Sequence, residues 1–109
     1  MTVRFYLRKM ILYNITFIID DTVNSEWLEW TNEKLLPAVA NTELFISQRL
    51  LKVLDSPNEG VTYCLQFTTD DIGNFHTFKQ VHEPGIFKSL STSFENKLVF
   101  FNTLMEFID

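Results

Sequence analysis

The 109-residue chain holds one cysteine, two histidines, three glycines, three prolines and nine basic side chains. Each scarcity excludes something. The single cysteine, Cys64, leaves no intrachain disulfide and no multi-cysteine metal site. Within an apolar stretch it reads as a small buried hydrophobe rather than a nucleophile. Three glycines supply no phosphate-cradling loop and no dinucleotide fingerprint, and no serine nucleophile elbow is present. His76 and His82 are six residues apart, about 120° around a regular helix. They cannot form the i,i+4 pair of a zinc helix, and no Glu or Cys completes a set, so no metal site is expected.

Positive charge is scarce and unevenly placed. Arg4, Arg8 and Lys9 stand in the first nine residues, which leaves six basic against fourteen acidic side chains in the remainder. An acidic domain repels a phosphate backbone, and no basic stripe is interleaved with aromatics, so no nucleic acid is expected as partner. The N-terminal run MTVRFYLRKMILYNITFIID resembles a signal peptide only superficially. Asn14 and Thr16 interrupt it, Asp20 and Asp21 end it, and no small-residue cleavage site follows. It is also too short to cross a bilayer, so a cytoplasmic protein without membrane association is expected. Met10 is the expected true start, with residues 1–9 an upstream extension or frayed tail and residues 10–109 a single domain.

What the chain has is apolar and aromatic: 46% hydrophobic residues, with eleven phenylalanines. These follow two periods. Ile11, Tyr13, Ile15, Phe17 and Ile19 alternate with Leu12, Asn14, Thr16 and Ile18, which predicts a strand over 10–19. Asp20, Asp21 and Thr22 offer capping groups for a helix from about Val23 to Val39, with Val23, Trp27, Leu28, Leu35 and Val39 inward and Pro37 ending or kinking it. A strand over 44–54, a turn at Asp55–Gly60 and a strand over 61–68 make a hairpin. Asp70 and Asp71 open a second helix whose inner face is Ile72, Phe75, Phe78 and either His82 or Val81. Pro84 and Gly85 interrupt it, a short helix follows around Ile86–Phe94, and residues 97–108 form the last strand.

The order β-α-β-β-α-β predicts an α+β ferredoxin-like sandwich: a four-stranded antiparallel sheet with two main helices on one face. The other face should then be polar, yet in the last strand Val99, Phe101, Met105 and Phe107 alternate with Leu98, Phe100, Leu104 and Ile108, so neither face is. A homodimer through the helix-free sheet faces solves this economically. The small polar groups of that face either pair among themselves or line a cavity for a small-molecule ligand.

The segments MILYNITFIID, EWLEW, LLPAVANTELF, RLLKVLD, GVTYCLQFTTD, VHEP and KLVFFNTLMEFI occur in an order that resembles an uncharacterised bacterial family, a domain of unknown function in the dimeric α/β-barrel superfamily. The resemblance spans residues 10–109. It implies a ferredoxin-like homodimer with no assigned activity. Leu35 stands where that family often carries a histidine, which removes any chemistry built on such a group.

The candidate residues are few. His82, before Glu83-Pro84, is placed to cap a helix C-terminus or to act as an acid–base, and His76 is the other acid–base candidate. Arg49, among apolar strand residues, is either an ion-pair partner or an anchor for an anionic ligand. Trp30, Tyr63 and Gln66 are candidate walls of the same ligand site, and of Trp27 and Trp30 one belongs to the core and the other to a rim. Tyr13 and Tyr63 read as core residues with tethered hydroxyls. Two functions follow. The first is a small homodimeric binding or accessory protein with no catalytic set and no cofactor. The second, which the resemblance implies, is a cofactor-independent enzyme of monooxygenase, isomerase or decarboxylase type, its substrate held between helices and sheet or within the barrel. A haem-binding variant is a distant third.

Overall fold

A computed structural model describes residues 9–108; the expected N-terminal extension, apart from Lys9, lies outside the described residues. Four strands, β1 (Ile11–Ile19), β2 (Ser47–Lys52), β3 (Val61–Thr69) and β4 (Leu98–Glu106), form one antiparallel sheet in the order β2-β3-β1-β4. The first helix runs from 24 to 41 between β1 and β2, and the second from 72 to 93 between β3 and β4. This is the expected ferredoxin-like order. The strand bounds agree except at β2, which is shorter than the apolar run 44–54 suggests.

The period-2 pattern of β1 sorts its side chains. Tyr13, Ile15, Phe17 and Ile19 are buried under the helices with Tyr63, Leu65 and Phe67 of β3. Aromatic rings fill the layer between sheet and helices. Trp27 stacks on Tyr63 at 4.9 Å and Phe45 on Phe67 at 5.1 Å, while Tyr13 meets Phe75 edge-on at 4.9 Å. Before β3, Gly60 adopts φ +83°, and a Cβ there would stand 2.4 Å from the Ile19 carbonyl oxygen, so only glycine fits.

Both helices depart from the expected geometry in the same way. The first is α-helical over Asn24–Trp30 and Leu36–Asn41, with a π-helical segment at Thr31–Leu35 between. The second is α-helical over Ile72–Thr77 and Glu83–Ser93, with a π-helical segment at Phe78–His82. Each wide turn closes with an i→i−5 bond, Leu36 N–H to Thr31 O and Glu83 N–H to Phe78 O, and a proline comes next. A proline has no N–H for the carbonyl four residues back, and its ring crowds that carbonyl. Opening the preceding turn by one residue relieves the clash and lets the helix continue. Pro37 and Pro84 therefore widen their helices instead of ending them, and the separate short helix expected at 86–94 is the continuation of the second helix.

The wide turns also rotate the buried faces. Trp27, Thr31, Leu35 and Val39 are buried at a constant spacing of four, a stripe that would drift about 40° per step on an ideal α-helix. In the second helix the shift carries Glu83 inward, 3% exposed, while Val81 stays 65% exposed and His82 half-buried. Ile72, expected inside, is 44% exposed.

At the start of the first helical region, Asp20 accepts the Thr22 N–H at 2.9 Å and the Thr22 hydroxyl at 2.6 Å, which hold its carboxyl below the ordinary value of 3.8. A lowered pKa stabilises the fold above the unfolded-state value, and the contribution disappears as pH falls through the folded one. Asp20→Ala is expected to lower stability at neutral pH and to flatten the acid limb of a pH-dependent urea-denaturation series; an unchanged acid limb would show that the cap is not formed in solution.

Candidate functional site

The aromatic layer between helices and sheet is filled: Phe17, Trp27, Tyr63, Leu65 and Phe67 are 0–4% exposed there, and none of them lines the two clefts described below. A small opening of about 150 Å³ lies at its margin, between Val39 and Gln48. Three other places gather polar or reactive groups.

The first is a buried cluster beneath the second π-helical segment. The Tyr13 hydroxyl donates to Glu83 Oε1 at 2.8 Å. Lys79, one turn before Glu83, lies 3.3 Å from Oε1 and 3.2 Å from Oε2, with its ammonium 5.5 Å from the Tyr13 ring centroid. Burial, then the hydrogen bond to Glu83 and the carboxylate's charge, raise the Tyr13 pKa well above the ordinary 10.0, so the hydroxyl remains a donor. The tethered Tyr13 hydroxyl is expected from the sequence, but its tether is not. On a regular helix, 83 falls beside rather than under Phe78, and only the proline-induced wide turn brings it inward.

The second is the helix-free sheet face. Registers place Arg49 opposite Gln66, Gln66 opposite Asn14, and Asn14 opposite Thr103, so one polar row crosses all four strands. Gln66 Nε2 donates to Asn14 Oδ1 at 3.3 Å, and Asn14 Nδ2 donates to Thr16 Oγ1 at 2.9 Å. Thr16 Oγ1 also lies 3.7 Å from Cys64 Sγ, and Ser47 pairs with Thr68. The small polar groups thus largely satisfy one another. Arg49 is exposed, and among the described residues it has no ion pair. Around this row the β4 side is apolar: Val99 is 60%, Phe101 55% and Met105 43% exposed, beside half-buried Leu12 and Ile18.

The third is a groove of about 400 Å³ in the seam between the two helices, where Trp30, Lys34 and His82 meet. A second cleft of about 340 Å³ shares Trp30 and Lys34 and adds Glu26, Glu29 and Glu33.

The expected site residues are therefore dispersed. Arg49 and Gln66 share the helix-free face. Tyr63 points the other way into the core, where its hydroxyl donates to Asn24 Oδ1 at 2.6 Å. Trp30 and His82 line the interhelical groove, Trp27 being the core tryptophan. His82 stands mid-helix against the Phe78 ring at 6.3 Å and caps no helix end; His76 is exposed on the same helix. Among the described residues no group of three or more His, Cys, Asp or Glu side chains is placed to hold a metal ion.

This architecture fixes the class: a four-stranded ferredoxin-like α+β domain with a packed interior. The chain belongs to DUF4286, a domain of unknown function, whose family model matches residues 10–108. No curated protein matches it in sequence. Its fold is shared by solved structures at low identity. A dimeric ferredoxin-like protein from an uncultured marine organism is 11% identical, with a TM-score of 0.66, covering 94% of this chain and 98% of the other. A monooxygenase from the ActVA-Orf6 gene of Streptomyces coelicolor, in complex with nanaomycin D, is 10% identical at TM-score 0.66, covering 94% and 90%. A mutant of SnoaB, a cofactor-independent oxygenase from Streptomyces nogalater, is 16% identical at TM-score 0.65, covering 92% and 94%.

The Tyr13–Glu83 bond makes a direct prediction. Since Tyr13 titrates higher folded than unfolded, its contribution is complete below about pH 10 and declines above it as the unfolded chain ionises. Tyr13→Phe is expected to cost about 1–3 kcal/mol and to reduce the alkaline fall in thermal midpoint. A midpoint that tracks the parent chain across the alkaline range would contradict the buried bond.

Proposed function

We propose that this protein works as a homodimeric binding or accessory module, its two sheets stacked through their helix-free faces. The supporting observation is the uncovered apolar flank of that face, Val99, Phe101 and Met105 with Leu12 and Ile18 beside them. Full burial of side chains of this kind is worth roughly 1.5–3 kcal/mol each as an upper bound. A twofold axis lets the same patch cover itself. The dimeric description of one structural neighbour agrees with this reading. No helix among the described residues is long and apolar enough to cross a membrane.

A second reading, a cofactor-independent enzyme acting on a small organic molecule, has one observation in its favour. Arg49 stands without an ion pair among the described residues, at the end of the Gln66–Asn14 row. Stacked sheets would enclose that row, and a guanidinium there suits an anionic substrate. The filled helix–sheet interior and the separation of Arg49 from both histidines favour the binding module.

Phe101→Glu places a charge on the proposed interface at a site already 55% exposed in the single chain, so the fold should tolerate it. Sedimentation is expected to show a dimer for the parent chain and a folded monomer for the variant. A parent chain that sediments as a monomer at micromolar concentration would remove the proposal.

A further inference from the structure

The interhelical groove is separate from the sheet face and has its own chemical character. No strand residue lines it. Its volume of about 400 Å³ lies within the range of small-molecule sites, roughly 300–1,000 Å³. Trp30, Leu35 and Ile86 give it apolar walls, and Lys34, His82 and Ser89 are its polar side chains. On a chain of net charge −5, no acidic residue lines this groove. Glu26, Glu29 and Glu33 line the neighbouring cleft, which shares Trp30 and Lys34 with this groove, and Glu83 is turned toward Tyr13. Lys34 is exposed and has no ion pair among the described residues.

Gly85 supplies an independent observation. It lies in a helical segment, where glycine is about 1 kcal/mol worse than alanine. Its backbone does not require glycine: its φ is not positive, and an added Cβ would meet nothing within 4 Å. Gly85 lines the groove, and a side chain there would meet no neighbouring atom that forbids it. The two π-helical segments complete the arrangement, since Lys34 and Leu35 come from one and Val81 and His82 from the other.

We infer that this groove binds a small aromatic carboxylate, its ring on Trp30 and between the apolar walls, its charge answered by Lys34 with hydrogen bonds from His82 and Ser89. The inference does not depend on dimerisation. Binding of 2-naphthoate to the full chain, followed by amide chemical-shift perturbation, tests it, with neutral 2-naphthamide as the matched control. Perturbations are expected at the Trp30 indole and around Lys34, Ala38 and Gly85, with the acid binding about threefold tighter than the amide, as an exposed ion pair gives. Lys34→Gln should bring naphthoate down to the amide's affinity and leave the amide unaffected. Gly85→Leu should abolish binding of both probes while the sedimentation behaviour stays that of the parent chain. Perturbations centred on the strands, equal affinity for acid and amide, binding undiminished by Gly85→Leu, or no perturbation at all would each overturn it.

Discussion

The layer of rings between sheet and helices constrains everything else in the molecule. Tyr13 and Phe17 from β1, Tyr63 and Phe67 from β3, Trp27 from the first helix and Phe75 and Phe78 from the second interlock with centroids about 5–6 Å apart. Rings packed edge-to-face and offset fill space at crystal-like density and leave no room for a ligand. With that interior filled, the surfaces left open among the described residues include the seam between the helices and the sheet face that the helices leave bare.

The prolines decide what those surfaces contain. Each helix widens by one residue just before Pro37 or Pro84, and the half-turns on either side then present different faces from those an unbroken helix would show. In the first helix this keeps Trp27, Thr31, Leu35 and Val39 in line over the sheet. In the second it buries a carboxylate beside Tyr13 and Lys79 and leaves His82 at the seam. A buried carboxylate is tolerated there because a hydroxyl donates to it and an ammonium faces it.

Most of the fold was legible in the sequence because strands announce themselves through a period of two. The alternation in 11–19 sorted core from opposite face residue by residue, the third strand was placed at 61–68, and the caps at Asp20 and Asp71 are where the acid-rich turns placed them. The helix faces were less legible. Reading 72–94 at 100° per residue put Val81 or His82 inside and took Pro84 for a break, whereas one extra residue in the turn substitutes Glu83. The site was least legible of all. Arg49 and Gln66 become neighbours only through the β2–β3 register, and Tyr63 leaves the set because its strand parity points it into the core. Trp30 and His82, 52 positions apart in the chain, meet only because both helices lie on the same face of the sheet.

The bare sheet face is the central claim, and Cys64 is a native reporter on it. Its thiol is half-buried on that face beside Thr16, two residues from Gln66. The rate of alkylation of Cys64 should be markedly slower in the parent chain at micromolar concentration than in the monomeric Phe101→Glu variant, and should rise toward the variant's rate on dilution through the dissociation range. Equal rates in the two proteins at every concentration would show that the face stays open to water, and would contradict the account.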